Sequence, residues 1–215
     1  MVVLAAEVAH EIRNPLTVMK MLYHSLDLNF EENDPRAEDA RVLGDKMNHL
    51  DAIVERIVNF ARNAEPQMAQ VNVHDLLEDL ALLTRHKLQH LHITLEQNLA
   101  QDLPKVRADA TQLSQAFLNL ILNSSEAMPD GGTLTISTGV NDGKFVVAFS
   151  DTGPGMTEEQ RDRAFTGMLS TTKEKGAGLG LAIVAKVAEA HGGQVEVKTR
   201  EGEGTTIKLW LPVTA

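Results

Sequence analysis

The chain contains no cysteine. Disulfides, zinc ribbons and thiol catalysis are therefore excluded, and the lack fits a reducing compartment. Basic residues are outnumbered: 20 Lys and Arg stand against 30 Asp and Glu, a net charge of −10. Non-specific nucleic-acid binding and adhesion to anionic membranes draw on basic patches, so neither is expected. No apolar run reaches the ~18 residues of a membrane span. The opening MVVLAAEVAHEIRNPL carries charge too early for a secretory signal. Internal repeats and low-complexity tracts are lacking too. What is present is ordinary globular composition, 43% hydrophobic and 23% charged over 215 residues. That length allows one or two domains with real apolar cores.

Two patterns divide the chain. Val8, Ile12, Pro15, Met19, Leu22 and Leu26 are spaced 4, 3, 4, 3, 4, and so are Leu43, Met47, Leu50, Val54, Ile57 and Ala61. This is the rhythm of a supercoiled helix seam. The acidic EENDPRAED between them holds a proline that cannot continue a helix. Residues 1–66 therefore read as a helical hairpin. Each helix buries one stripe and leaves apolar surface over. A homodimer closing an antiparallel four-helix bundle is the expected completion, with packing on the rest of the chain as the alternative.

After the break NAEPQMAQ the rhythm changes. Residues 70–215 read as an α/β sandwich, a mixed sheet with helices on one face. Helices are expected over 74–90, from Asp109 to about Met128, near 157–165 and over 179–191. Strands are expected over 91–99, 133–140, 144–150, 194–199 and 205–211. Asp109 and Gln112 have capping-box spacing. Asn141-Asp142-Gly143 is a hairpin turn. Gly192-Gly193 is a helix C-cap signal.

Four motifs carry chemistry. In His10-Glu11-Ile12-Arg13-Asn14-Pro15-Leu16, Asn14 stands where a zinc helix would need its second histidine. With Val8 at heptad position d, His10 falls at f, away from the seam. Pro15 crowds the carbonyl of Glu11, so a bend is expected just past the histidine. An exposed imidazole beside a carboxylate suits a nucleophile reached by other domains; a plain surface histidine fits as well. Asn119 and Asn123 share one face of a helix, and a metal–phosphate group or nearby backbone could satisfy their amides. Asp151-Thr152-Gly153-Pro154-Gly155 closes a strand. An aspartic-protease reading would need a second such loop, which only a homodimer could supply. Otherwise its glycines admit a ligand to the backbone, and Asp151 accepts from an exocyclic amine. Gly176-Ala177-Gly178-Leu179-Gly180 opens a helix, where N–H groups attract phosphate, but it matches neither a Rossmann nor a Walker pattern.

In order and spacing the four motifs resemble the sensor histidine kinases of two-component systems, from Val8 to Pro212. HEIRNPL resembles the H box, NLILN the N box, DTGPG the G1 box and GAGLGLAI the G2 box. The H box and lid are closest in style to the nitrogen-regulation-like branch. The resemblance implies a dimerisation and phosphotransfer domain followed by a Bergerat-fold ATP-binding domain, α+β overall. It implies His10 as phosphoacceptor and Glu11 as its general base. Asn119 and Asn123 would face Mg²⁺ and the phosphates of ATP, and Asp151 would read the adenine amine. Gly153, Gly155, Gly176, Gly178 and Gly180 would shape the pocket and its lid. Lys173, Ser170, Thr171 and Thr172 would contact phosphate.

The implied activity is autophosphorylation of His10 and transfer to a response-regulator aspartate, with Asn14 serving removal of that phosphate. Related ATPases such as gyrase and the heat-shock chaperones carry Glu where this chain has Asn119. An amide is no general base, so the pocket should hold ATP for transfer rather than hydrolyse it. A hydrolysing ATPase and a non-enzymatic ATP-responsive dimer are the rival readings. The lid departs from the family: Phe165-Thr166-Gly167-Met168-Leu169 replaces the usual Pro and aromatics. Nine residues precede His10, so the chain is expected to be a cytoplasmic catalytic fragment of a longer sensor, one that a membrane anchor would suit. The remaining histidines, including His86, His90 and His92, are expected on solvated faces.

Overall fold

The computed structural model describes residues 2–26, 30, 34–61, 65–101, 103–163 and 179–213. The chain divides into two compact units, Met1–Ala64 and Glu65–Ala215.

The first unit is a pair of helices, α1 (Val2–Ser25) and α2 (Pro35–Ala61). Asp34 starts α2: its Oδ1 accepts the Arg36 N–H at 2.9 Å and its carbonyl accepts the Ala37 N–H. Pro35 then occupies the first helical position, where its missing N–H costs nothing. The proline that breaks the linker is thus also the residue that opens the next helix. Helix α1 runs unbroken through Pro15. Tyr23 donates to the Ala40 carbonyl at 2.7 Å, and Lys20 donates to Asp51 at 2.9 Å, which sets the helices antiparallel. Gly44 makes room for the Tyr23 ring; a side chain there would meet it at about 3.0 Å.

Met47 and Val54 of the expected α2 stripe are buried, together with Ala40 and with Leu16, one position past the α1 stripe. Ile12, Met19, Leu22, Leu26, Leu43 and Leu50 of the expected stripes remain exposed, Met19 by 54%. The hairpin thus covers part of the α2 stripe and leaves the described part of the α1 stripe outside, the apolar surplus expected of half a four-helix bundle.

The second unit contains β1 (Ala69–Val71), α3 (Val73–His90), β2 (Ile93–Asn98), β3 (Val106–Ala108), α4 (Ala110–Ala127), β4 (Gly132–Asn141), β5 (Lys144–Asp151), α5 (Glu158–Arg163), α6 (Leu179–Ala190), β6 (Gln194–Arg200) and β7 (Gly204–Pro212). Five strands form a mixed sheet in the order β2-β4-β5-β7-β6. Only β2 and β4 run parallel, and α4 lies in the crossover between them. The β4–β5 hairpin turns at Asp142 and Gly143, both with positive φ, as the tight turn requires.

Alternation sends Leu134, Ile136, Phe145, Val147, Phe149, Ile207, Leu209 and Leu211 to one face, where all are buried. Helices α3, α4 and α6 cover that face. Phe117 of α4 meets Phe149 of β5 at 5.6 Å between ring centroids.

A second, two-stranded sheet pairs β1 with β3, antiparallel from Ala69–Ala108 to Val71–Val106. Neither strand was legible in the sequence, because each is three residues long and falls in a stretch read as a break or a connection.

Candidate functional site

Helix α4 carries the centre of the site. Its N-cap is Asp109, whose Oδ1 accepts the Gln112 N–H at 3.0 Å. The reciprocal arm of the expected capping box is replaced. The Asp109 N–H goes to His191 Nε2 at 2.9 Å, and His191 Nδ1 contacts the Val187 carbonyl at 2.7 Å. Both bonds are made only by a neutral ring with its proton on Nδ1. His191 is buried, contrary to the solvated position expected for it; His74 is half-buried and bonded to Thr138. Asp109 Oδ2 also accepts the Gln67 N–H at 2.8 Å. Burial pushes the Asp109 carboxyl up, but the N–H bonds from Gln112 and Gln67 outweigh it and hold the group below its ordinary value. This junction ties the chain entering the unit to the start of α4 and the end of α6. Sequence reading found the cap but not its partners, which lie 42 and 82 residues away.

One helix face of α4 presents Asn119 and Asn123, a turn apart. Leu113, Ala116, Phe117, Leu120 and Ile121 bury the rest of the helix. Asn119 is 9% exposed, and its Nδ2 has no hydrogen-bond partner among the described residues. A buried amide donor left unmet costs about 1–3 kcal/mol, so it marks a place for a ligand acceptor. Asn123 faces the start of α6. A side chain on Gly180 would come within 2.9 Å of the Asn123 amide and push it aside, so glycine leaves that amide where it stands.

Asp151 ends β5. Its Oδ1 accepts the Gly153 N–H at 3.0 Å, and its Oδ2 accepts from Ser124 Oγ at 3.2 Å. Ser124 follows Asn123 directly, so α4 and the end of β5 are tied at this point. Gly155 has φ +69, and a side chain on it would run into the Arg200 carbonyl. Its crowding comes from the chain's own backbone at the β6–β7 turn rather than from a ligand.

The structure thus brings Asn119, Asn123, Asp151, Gly153 and Gly180 to one locale, with Ser124 as a member sequence reading missed. Lys173, Gly176, Gly178 and residues 170–172 lie outside the described residues. On α1, Glu11 and Asn14 are exposed; the backbone of His10 is helical and its side chain lies outside the described set.

The donors fit a nucleotide with Mg²⁺. The unmet Asn119 N–H suits a phosphate oxygen, and Asn side-chain oxygens are hard ligands of the kind Mg²⁺ takes sparingly beside phosphate. Among the described residues no cluster of three or more His, Cys, Asp or Glu could hold a metal by itself. No helix among them is long and apolar enough to cross a membrane.

Residues 108–215 match the model of the histidine kinase-, DNA gyrase B- and HSP90-like ATPases. Residues 2–66 match the His Kinase A (phospho-acceptor) domain. Sensor histidine kinase ZraS of Salmonella typhi is 34% identical over 99% of this chain and 46% of its own length. The chain therefore spans a little under half of that relative. Full-length ShkA, solved in complex with AMPPNP, superposes with TM-score 0.79 at 28% identity, over 98% of this chain and 46% of that one. Histidine kinase ThkA, solved with the response regulator protein TrrA, shares the fold at TM-score 0.72 and 24% identity, over 98% and 61%. A phospho-acceptor hairpin leading into an ATPase domain of this type is the arrangement of one family, and the chain belongs to the histidine kinases.

Proposed function

We propose that the chain is an ATP-dependent protein-histidine kinase core. Residues 1–66 form the dimerisation and phosphotransfer part, and residues 70–215 hold ATP. The observation that carries this reading is the buried, unmet Asn119 donor one turn from the Asn123 amide that Gly180 leaves open.

On this reading Asp151 accepts from the adenine amine while Asn119 donates to phosphate. Asn119 and Asn123 would hold Mg²⁺, which when bound neutralises charge on the phosphoryl oxygens. His10 attacks the γ-phosphorus; an N–P bond forms, the β–γ bridging P–O bond breaks, and ADP leaves. Glu11, the next residue on α1, orients the ring and accepts its proton. Since Asn119 is an amide and no general base, water is not activated and the phosphoryl group is kept for transfer. The phosphoramidate then passes its phosphoryl group to an aspartate of a response regulator. The exposed apolar stripe of α1 and α2 supports a homodimer, since a second copy of the same stripe would cover it. Lys173, Gly176 and Gly178 would serve the lid over the nucleotide.

Asn14 is assigned to phosphatase activity on the same regulator. It is exposed four residues after His10, and an amide there can orient a water for in-line attack on an aspartyl phosphate. Asn14→Ala should keep self-phosphorylation and slow decay of the phosphorylated regulator to its intrinsic rate. A loss of both together would remove the assignment.

Incubation with γ-labelled ATP tests the whole reading. Label on the protein that survives alkali and is lost in acid is the expected result. Free phosphate without label would make the chain an ATPase, and neither product would make it a binding module.

A further inference from the structure

Two serines follow Asn123, and they do different things. Ser125 Oγ turns back to the Leu122 carbonyl of its own helix at 2.8 Å. Ser124 Oγ, 5% exposed as a residue, reaches across to Asp151 Oδ2 at 3.2 Å. Asp151 Oδ1 is held on the other side by the Gly153 N–H at 3.0 Å. An Asp side chain rotates freely about its last torsion, which has only a broad two-fold preference. Two donors, one on each oxygen, remove that freedom and fix the carboxylate plane. A carboxylate so held is acceptor-only. It accepts from a 6-amino group on a purine, and it repels a 6-oxo group, which would set oxygen against oxygen.

The geometry points to Ser124 as a positioning residue that sets the choice of base: by locking Asp151, it favours a 6-aminopurine nucleotide over a 6-oxopurine one. This rests on the reading of Asp151 as the adenine contact. The Ser124 hydroxyl is spent on Asp151, so its effect belongs in base recognition and not in transfer.

The test is calorimetric binding of ATP and of inosine triphosphate, which carries oxygen at position 6, to the whole 215-residue chain. Ser124→Ala should weaken ATP about tenfold, the scale of one hydrogen bond to a charged group. Binding of inosine triphosphate should move little, so the ratio between the two narrows. Ser124→Thr, which keeps a hydroxyl, should restore the ratio. Ser125→Ala should leave both affinities and their ratio unchanged. If Ser124→Ala weakens both nucleotides equally, the residue is merely structural and the proposal fails. If it changes neither, the hydroxyl does not position the carboxylate and the proposal fails again. Asp151→Asn separates the two levels. Loss of ATP preference in that variant together with an unchanged Ser124→Ala overturns only the role of Ser124. An unchanged ratio in Asp151→Asn overturns the adenine reading itself.

Discussion

The hairpin and the ATPase unit dispose of their apolar residues in opposite ways. In the sheet, β5 and β7 send every second side chain inward, and Phe145, Val147, Phe149, Leu209 and Leu211 find partners from three helices of the same chain. In the hairpin, Leu16 of α1 is buried while Ile12, Met19 and Leu22 are not. Two helices have only one line of contact, and a stripe wider than that line must stay in water or meet a second molecule. The comparison separates a sheet whose inner face is covered within one copy from a hairpin whose apolar surface exceeds what a single copy can cover. Chemistry divides along the same boundary. The proposed nucleophile sits on the unit with the surplus, and the proposed nucleotide contacts sit on the other.

The sharpest way to break the comparison is His10→Ala. Self-phosphorylation should be abolished while ATP affinity stays at the wild-type value, because all the proposed nucleotide contacts lie in residues 70–215. Acid-labile label on the variant would mean that another histidine is the acceptor.

Next in size is a charge on the uncovered stripe. Met19→Glu with Leu50→Glu should weaken self-association by at least about 100-fold, since an unpaired carboxylate buried in an interface costs several kcal/mol. Sedimentation would read the change. Both side chains are already exposed in the single copy, so helicity should be kept. An unchanged oligomeric state would mean that the stripe is not the dimer seam.

A smaller effect is expected inside the ATPase unit. His191→Ala removes the partner of the buried Asp109 N–H and should destabilise this unit by about 1–3 kcal/mol. Trp210 is the chain's one tryptophan and lies on β7, so its fluorescence reports melting of this unit alone. A variant that melts with the wild type would show the junction to be dispensable.

The smallest effect is a pH dependence. The Asp109 carboxyl is held below its ordinary value of 3.8 in the fold. A lowered carboxylate contributes stability that is complete above that ordinary value and lost as pH falls through the folded one. Acid unfolding followed at Trp210 should therefore steepen below pH 3.8. Asp109→Asn, which still accepts at the cap, should flatten that limb. Identical acid limbs would place the sensitivity elsewhere.

Much of this was legible from residues alone, for reasons of range. The Asn141-Asp142-Gly143 turn, the Asp109 cap and the heptad spacing of α1 and α2 are local signals, set by neighbours within a few positions. The apolar run from Phe145 to Phe149, opened by the Asn141-Asp142-Gly143 turn, locates Asp151 at the end of β5. What was illegible has partners far away in sequence. Strands β1 and β3 exist because they pair with each other, and a three-residue strand has no periodicity to read. His191 looked like one more surface histidine because its two bonds are made to Val187 of its own helix and to Asp109 across the fold. Ser124 and Ser125 are identical letters, and only the position of β5 tells them apart.

By itself, then, the sequence determined the two-part organisation and the elements α1, α4 and β5 that carry His10, Asn119 with Asn123, and Asp151, because spacing, capping and turn chemistry act within one helix turn or one hairpin. Tertiary structure alone decided which of those residues meet. It placed Gly180 against Asn123, Ser124 against Asp151 and His191 beneath the start of α4, since such contacts depend on how helices cross a sheet. The heptad count marked Met47 and Val54 as buried in the hairpin, but that Leu16 rather than Met19 faces them was decided by packing, with Tyr23 seated on Gly44.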